Sequence, residues 1–391
     1  MLVQNYMSPY FYRGQAHISK FLMDNTQKQK IAPQRLYINA WRLARNEYID
    51  SSMNNQNWYR WRNKYLRHIK TEEDANIAIN TMLYSLHDPF TKFLKAQNFI
   101  EQKIIMDSQI TNIGIIFDRN GDDLIVGDVL KDSSAQDENI LPNDKIISIN
   151  NIPVKYLTPD NIKIIVEGSS KKDIKIVILR DNKPIKKVLR KKIIPIETMQ
   201  YFITDNNIGI INMSNVMGEK ALLDFKDIIK KTNNTNGLIL DLRNNYGGML
   251  TNAILMADYM SDNKRLISII SKGKLKYELY GDRDSIFKEK PVIVLVNSKT
   301  ASAAEVLAGI LKDNLGAIII GEQTYGKNTI QQVIPMANSS GLIITSDKYI
   351  LPNGDDINKV GITPDIKIKP KNGKDISLIL AIKIINNIMK N

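Results

Sequence analysis

The chain has 391 residues, no cysteine and a formal net charge of +13. The missing cysteines exclude thiol catalysis, disulfide bonds and cysteine-ligated metals, while 43% hydrophobic residues without a low-complexity tract indicate a globular protein long enough for two or three domains. The positive charge suits nucleic acid or an anionic membrane surface. Because the lysines are spread through every segment with few aromatic residues among them, we predict no nucleic-acid partner.

Residues 1–32 predict no folded element. They contain no continuous apolar run of the kind that a signal peptide requires. No stretch of the chain reaches the roughly 18 apolar residues of a membrane span. We therefore expect residues 1–32 to be a tail or a targeting remnant.

Residues 33–105 predict a small helical domain. Apolar residues follow a helical period in two segments that contain Trp41, Trp58 and Trp61, and aromatic residues at helical spacing most often form a packing core. Thr71 predicts the cap of a further helix that ends before the next proline. With only three histidines in the chain, this domain offers no ligand set for a metal.

Residues 106–195 predict a compact β domain. The short apolar runs NIGIIFD, DLIVGDVL, DKIISINN and IKIVILR are typical of strands, and residues 158–168 predict one helix. The turn of Ile113, Gly114 and Ile115 resembles that of PDZ domains, where a glycine turn presents N–H groups to a terminal carboxylate while the peptide adds as a strand, and this resemblance implies a substrate-binding site. The alternative is an ordinary hairpin glycine.

From residue 196 onward, strand patterns alternate with amphipathic helical patterns. The segments IGIINM, GEKALLDFKDIIKKT, GLILDL and MLTNAILMADYM follow in this order, which favours a mostly parallel sheet covered by helices. A hairpin-like pair, RLISIIS and KLKYELY, comes next. The turn RNNYGG contains Gly247 and Gly248, which free the backbone to point an N–H group at an oxyanion. The alternative is a loop that only needs glycine before a helix.

The segment from residue 291 to 331 carries the candidate catalytic residues. A buried-strand pattern is followed by Ser302 at the start of a helix, where the unpaired amide of Ala303 can donate to an oxyanion. All three histidines lie far upstream, so the candidate base is Lys327, which works only when desolvation or nearby positive charge keeps it neutral. As isolated signals, a serine at a helix start is a cap and a lysine in a loop is solvated.

Gln331 is the third member of this predicted group. If residues 327–334 form a strand, Lys327, Thr329 and Gln331 point to one face, so that Gln331 can hold the amine in line without adding a charge. Glu305 lies in the first turn of the serine helix, where we expect its charge to complement the helix dipole.

Together these segments resemble the carboxyl-terminal processing peptidases, a Ser-Lys family that carries an inserted PDZ domain. The resemblance rests on NSKTASAAE around the serine, TYGKN at the lysine, DLRNNYGG, MLYSLHDPFTKFL and a closing GITPD, and it extends from about residue 33 to the end. Thr300 and Ala304 stand where the family has serines, Asn328 where it has glycine and Tyr246 where it has proline. None of these changes removes a reacting atom.

The resemblance implies an α/β multidomain fold with an N-terminal helical domain, an inserted PDZ-like β domain at 106–195 and a βαβ protease core of the ClpP/crotonase type at 196–391. It implies a serine endopeptidase that cuts precursor or damaged proteins near their carboxyl termini while the PDZ-like domain holds the tail. It also marks Asp313 as an acidic position that affects activity. Because a carboxylate three helical turns from Ser302 cannot touch it, we expect Asp313 to fix the end of the helix or orient a neighbour.

The resemblance implies no metal and no organic cofactor. The implied partners are carboxyl-terminal tails of proteins, with membrane contact only through a substrate, and the implied state is a monomer or small homo-oligomer. The segments NQNWYRWR and DPFT are most similar to the plastid and cyanobacterial branch, which matures a photosystem II reaction-centre precursor, so an extracytoplasmic or thylakoid-lumen location is expected. Two alternatives remain open: a catalytically silent PDZ scaffold that binds tails, and a crotonase-like acyl-CoA enzyme.

Overall fold

The structure, a computed structural model, describes residues 6–7, 29–107, 109–120, 123–158, 161–162, 165–166, 172–262, 264–282, 285, 287, 289–369 and 374–390. The chain divides into two compact units. One unit contains Met1–Phe99 and Glu197–Asn391, and the other contains Ile100–Ile196. Most of the expected tail at residues 1–32 lies outside the described residues.

Short helices dominate the N-terminal part of the chain. The elements are β1 (Tyr6–Met7), α1 (Pro33–Glu47), α2 (Tyr59–Arg62), α3 (Glu72–Tyr84), β2 (Lys92–Leu94) and α4 (Ala96–Met106). α3 begins with a capping box, in which Thr71 Oγ1 accepts the Asp74 N–H and the Asp74 carboxylate accepts the Thr71 N–H. All three tryptophans are buried in one cluster with α1 and α3, which confirms the predicted packing core.

The unit Ile100–Ile196 is an antiparallel β domain. Its elements are β3 (Gln109–Asn112), β4 (Ile115–Asn120), β5 (Asp123–Val129), α5 (Ser134–Asp137), β6 (Lys145–Ile149), β7 (Ile152–Pro153), β8 (Asp173–Arg180), β9 (Lys183–Arg190) and β10 (Lys192–Pro195). The main sheet has the order β4-β5-β6-β8-β9, and β3 pairs with β10 where the chain enters and leaves the unit. Residues 161–162 and 165–166 of the predicted helix at 158–168 are helical. Residues 159–160, 163–164 and 167–168 lie outside the described residues.

Strands and helices alternate through the remainder of the chain, as predicted. The elements are β11 (Met199–Ile203), β12 (Ile208–Met213), α6 (Gly218–Thr232), β13 (Gly237–Asp241), α7 (Leu250–Met260), β14 (Arg265–Ser271), β15 (Lys274–Tyr280), β16 (Val292–Val296), α8 (Ala303–Leu315), β17 (Ile318–Gly321), β18 (Thr329–Pro335), β19 (Gly341–Ile350), β20 (Ile366–Lys367) and α9 (Ile376–Ile388). One sheet of this core has the order β11-β12-β13-β16-β17-β20, and its strands from β12 onward are parallel.

This parallel sheet separates two apolar cores. Every residue of β13 and β16 is buried, because successive side chains point to opposite faces and both faces are covered. Leu240 and Val294 pack with α6, α7 and α8, whereas Ile239 and Ile293 pack with α9. Burial on both faces of the sheet therefore explains why β13 and β16 are continuous apolar runs in the sequence.

A second sheet joins the helices to the core. Its order is β1-β15-β14-β19-β18, with β2 paired to β19, and β14 and β15 form the predicted antiparallel hairpin. Leu342 and Ile344 of β19 belong to the same buried cluster as the tryptophans. The helical segment predicted as a separate domain at 33–105 therefore shares one hydrophobic core with β18 and β19, because its apolar faces are covered by those strands.

None of the helices in the described part of the chain is both long enough and apolar enough to span a bilayer. The α/β architecture with a β-rich insert agrees with the fold class expected from the sequence.

Candidate active site

Ser302 lies at a sharp turn between β16 and α8. Its backbone has φ 56° and ψ −122°, a left-handed conformation that is strained for a residue with a side chain. The Ser302 N–H donates to Glu305 Oε2 at 2.8 Å. The Ser302 side chain is half-buried. The Glu305 N–H donates to the Ser302 carbonyl oxygen at 2.8 Å, so the turn places the hydroxyl at the start of α8.

Lys327 lies in the loop before β18, and its amine is half-buried. Lys327 Nζ donates to Gln331 Oε1 at 2.7 Å. Burial lowers the pKa of Lys327 and Lys92 lowers it further, while the charges of Asp88 and Glu305 act in the opposite direction. The net direction is towards the neutral amine that a general base requires.

The predicted strand at 327–334 begins later than expected. β18 starts at Thr329, and its pairing with β19 is irregular between Ile330 and Gln331. The Lys327 N–H is used by Glu305 Oε2 instead of by β19. Simple alternation along a strand therefore does not explain how Lys327 and Gln331 meet.

Glu305 is fully buried and connects the serine turn to the lysine loop. Its Oε2 accepts the N–H groups of Ser302 at 2.8 Å and of Lys327 at 2.9 Å. Its Oε1 accepts the Gly326 N–H at 2.7 Å and the Thr324 hydroxyl. The sequence interpretation assigned Glu305 to the helix dipole alone, because the partners from residues 324–327 cannot be read from local spacing.

Tyr349 of β19 makes a second connection between the same two residues. Its buried hydroxyl lies 2.8 Å from the Lys327 carbonyl oxygen and 3.3 Å from the Ser302 carbonyl oxygen. Burial raises the pKa of Tyr349 well above its usual value, so the hydroxyl keeps its proton and donates it. Sequence analysis missed this residue, since a tyrosine in an apolar strand gives no sign of its partner.

The serine and lysine side chains are not hydrogen-bonded to each other in this conformation. Among the described residues, no hydrogen bond joins Ser302 Oγ to Lys327 Nζ, which donates to Gln331 Oε1 instead. The backbone of both residues is nevertheless fixed by Glu305 and Tyr349.

The glycine turn after β13 lies directly against the serine turn. Gly247 has φ 93°, and a Cβ atom there would lie 2.6 Å from the Ala301 carbonyl oxygen and 2.9 Å from the Ala303 nitrogen. Only glycine allows this approach. The Gly247 N–H donates to Asn245 Oδ1 at 2.9 Å. Within the described chain, the N–H groups of Gly248 and Ala303 have no acceptor among the backbone and side-chain hydrogen bonds.

Thr300 fixes the serine turn to the glycine turn. Its buried hydroxyl donates to the Leu242 carbonyl oxygen at 2.8 Å and accepts the Asn297 N–H at 3.0 Å. Asn297 Oδ1 in turn accepts the Asn244 N–H at 3.0 Å. Threonine keeps the hydroxyl that a serine would place here.

Asn328 also differs from the family pattern. Its side chain is buried and its Nδ2 donates to Asp356 Oδ1 at 2.7 Å. The Asn328 carbonyl oxygen accepts the Tyr349 N–H at 3.0 Å. Asparagine therefore anchors the lysine loop to the segment after β19.

Asp313 lies at the far end of α8, about 16 Å from Ser302 along the helix axis. Its Oδ2 accepts the Asn353 N–H at 3.2 Å, and burial raises the pKa of the carboxyl group. Asp313 thus holds the turn at Asn353 against the helix end, and it is not in contact with the serine through any hydrogen bond among the described residues.

The predicted carboxylate-binding turn lies in the β domain between β3 and β4. The side chains of Ile113 and Ile115 are buried in the core of that unit. Gly114 has φ 89°, its N–H donates to Asn112 Oδ1 at 2.9 Å, and a Cβ atom there would overlap Ser133 at the start of α5. β4 stands at the end of the sheet order, so its outer edge has no strand partner among the described residues.

A metal site is not apparent in the part of the chain that the structure describes. No group of three or more His, Asp or Glu side chains there could hold an ion.

Comparison with known proteins gives concordant matches. The sequence model of peptidase family S41 matches residues 207–368, and that of the PDZ domain matches residues 111–187. The chain is 31% identical over 360 residues to the carboxyl-terminal-processing peptidase 2, chloroplastic, of Arabidopsis thaliana, covering 87% of this chain and 70% of that protein. It is 28% identical over 346 residues to the carboxyl-terminal-processing protease of Synechocystis sp., covering 85% and 80%.

A solved structure agrees with these sequence matches. The photosystem II D1 C-terminal processing protease superimposes with a TM-score of 0.59 at 27% identity, covering 88% of this chain and 94% of that chain.

Proposed function

The chain belongs to peptidase family S41, and we propose that it cuts proteins near their carboxyl termini. In this proposal Ser302 is the nucleophile and Lys327 is the general base. One observation carries this proposal. A single buried oxygen, Glu305 Oε2, accepts the backbone N–H groups of both residues, so the hydroxyl and the amine are held on adjoining turns. Similarity to peptidases argues against the acyl-CoA enzyme, and the presence of Ser302, Lys327 and Gln331 argues against the silent scaffold.

The reaction begins when the lysine amine turns from Gln331 towards the serine. Lys327 Nζ takes the proton from Ser302 Oγ while the oxygen bonds to the scissile carbonyl carbon, and the carbonyl oxygen becomes an oxyanion. The N–H groups of Ala303 and Gly248 stabilise this charge, since both are free of other acceptors in the described chain. Gly247 allows the two turns to meet, while its own N–H stays with Asn245.

Collapse of this intermediate completes acylation. The carbon–nitrogen bond breaks, Lys327 gives its proton to the leaving amine, and the substrate acyl group remains on Ser302. The neutral amine then takes a proton from water, whose oxygen bonds to the ester carbon. The bond between that carbon and Ser302 Oγ breaks, Lys327 gives the proton to Ser302 Oγ, and the new carboxyl terminus is released. Gln331 orients the amine between these steps through the bond to its Oε1.

The β domain supplies the choice of substrate in this proposal. An extended tail adds as a strand to the outer edge of β4, and the turn at Ile113, Gly114 and Ile115 receives its terminal carboxylate. Asn112 keeps the Gly114 amide oriented. The partner is therefore a protein with a free carboxyl-terminal tail, and no cofactor takes part.

We extend the proposal to a photosynthetic substrate. The relatives include a chloroplast enzyme, a cyanobacterial enzyme and a protease named for photosystem II D1. These names support maturation of a reaction-centre precursor, in the thylakoid lumen or another extracytoplasmic compartment, as the specific role. A precursor of D1 that carries its carboxyl-terminal extension is the substrate to test first.

The direct test is digestion of tagged proteins that differ only in their last residues. Wild-type protein should shorten some tails and leave others intact, and Ser302→Ala and Lys327→Ala should shorten none. Cleavage that ignores the tail sequence would contradict the role of the β domain. Cleavage that persists in Ser302→Ala would contradict the assignment of the nucleophile.

A further inference from the structure

We propose that Phe90, on the loop between α3 and β2, is a positioning residue that covers the amine of Lys327 and excludes water from it. The inference rests on the proposed Ser302–Lys327 pair. It assigns a task to a segment of the helical region that the mechanism above does not use. That task concerns the protonation and placement of the base and not contact with the substrate.

The first observation is a direct contact between the ring and the amine. Lys327 Nζ lies 4.5 Å from the centroid of the Phe90 ring, and both side chains are half-buried. The negative face of an aromatic ring attracts an ammonium group, whereas the apolar body of the ring removes water and disfavours the charge. Burial is the largest influence on the pKa of Lys327 and lowers it, and the Phe90 ring is part of the apolar surface beside the amine.

The second observation is that buried hydrogen bonds fix the loop. Asp88 accepts the Phe90 N–H at 3.0 Å and the Thr91 hydroxyl at 2.6 Å. The Thr91 hydroxyl oxygen accepts the Thr345 N–H at 3.0 Å, and Thr345 Oγ1 accepts Gln331 Nε2 at 3.2 Å. A continuous chain of bonds thus runs from the loop to the residue that holds the lysine amine.

The third observation is the charge pattern around the amine. Asp88 and Lys92, at the two ends of the loop, act on Lys327 in opposite directions, and Glu305 of α8 acts with Asp88. From β19, the neighbouring titratable group is Tyr349, which stays neutral because burial raises its pKa. The helical region therefore contributes an apolar cover and one charge of each sign to the base.

The test measures how fast Ser302 reacts with a fluorophosphonate probe as a function of pH, because this reaction needs the base but no identified substrate. A phosphorus–oxygen bond to Ser302 forms, fluoride leaves, and Lys327 takes the proton. For Phe90→Ala we expect the rise of the labelling rate to move up by about one pH unit, which lowers the rate about tenfold on the acidic side. Phe90→Leu keeps an apolar cover but removes the aromatic face that attracts the ammonium group. For this variant the rise of the labelling rate should stay at the wild-type pH or move to lower pH.

Matched variants separate this role from general damage. Phe202→Ala removes a half-exposed phenylalanine on β11 and should label like the wild type at every pH, and melting temperatures should show that all variants fold. Asp88→Asn should move the rise of the labelling rate to lower pH, and Lys92→Gln should move it to higher pH, because Asp88 raises the pKa of Lys327 and Lys92 lowers it. Since Lys92 is exposed, its variant remains informative even if Phe90→Ala does not fold.

The outcomes distinguish this inference from the proposed function. If Phe90→Ala folds and follows the wild-type pH profile while Ser302→Ala does not label, the inference is overturned and the serine–lysine pair stands. If Ser302→Ala still labels at the wild-type rate, the proposed pair itself is wrong.

Discussion

The turn that carries Ser302 is built largely from neighbouring residues, whereas the loop that carries Lys327 is held by side chains from distant segments. Ser302 takes its strained backbone between β16 and α8, with Glu305 three residues further on. Lys327 depends on Glu305, on Tyr349 of β19 and on Phe90 of the helical region. The comparison teaches that local geometry places the proposed nucleophile, while long-range packing decides whether the proposed base is neutral and where it points.

The largest effect should come from removing either reacting group. Ser302→Ala and Lys327→Ala should each reduce cleavage by at least about 10⁴-fold, because neither the attack nor the proton transfer has a substitute. The rate of tail shortening measures this. Lys274→Ala, at an exposed lysine of β15, is the control and should remain fully active. Cleavage that persists at the wild-type rate in Ser302→Ala or Lys327→Ala would contradict the assigned roles.

The second test changes the contact between the two turns. Gly247→Ala places a methyl group 2.6 Å from the Ala301 carbonyl oxygen, so it should displace the oxyanion donors and lower kcat by about 10²- to 10³-fold. Gly273→Ala is a matched control, since Gly273 also has a positive φ of 76° but nothing lies within 4 Å of its Cβ position. If both variants keep wild-type kcat, the glycine turn does not shape the oxyanion hole.

Glu305→Gln changes the residue that accepts hydrogen bonds from both the Ser302 turn and the Lys327 loop. An amide accepts hydrogen bonds through one oxygen only, so donors on the other side lose their partner, and we expect about 2–4 kcal/mol less stability with a lower maximal rate. Since the Glu305 charge raises the pKa of Lys327, its removal lowers that pKa. The rise of kcat/KM with pH should therefore begin at lower pH.

A pH profile and a denaturant titration measure these two effects of Glu305→Gln. Glu289→Gln, at an exposed glutamate, should change neither. A rise shifted to higher pH would contradict the assignment of Glu305 as the negative charge beside the base.

Tyr349→Phe should have the smallest effect. It removes one hydroxyl that lies near the carbonyl oxygens of Ser302 and Lys327, and a buried hydrogen bond of this kind contributes about 1 kcal/mol. We expect a less than about tenfold loss in kcat/KM with an unchanged pH profile, because the tyrosine is uncharged. Tyr201→Phe, on the edge strand β11, is the control. A complete loss of activity would mean that the hydroxyl takes part in the reaction.

Local patterns predicted much of the fold for identifiable reasons. The helices α6 and α7 and the hairpin β14–β15 follow from the periodicity and composition of single segments, which neighbouring residues determine. The place of the helical region does not follow in this way. Its apolar faces could have packed on each other alone, but they are covered by Leu342 and Ile344 of β19, and no local signal pairs residues so far apart in the chain.

By itself, the sequence predicted the strand–turn–helix around Ser302, the glycine turn after β13 and Lys327 as the nearby candidate base. Only the tertiary structure decided that Glu305 joins the two turns, that Gly247 gives its amide to Asn245, and that Phe90 covers the lysine. The physical reason is that backbone conformation depends on adjacent residues, whereas the pKa of a buried amine depends on every charge and apolar surface that folding places around it.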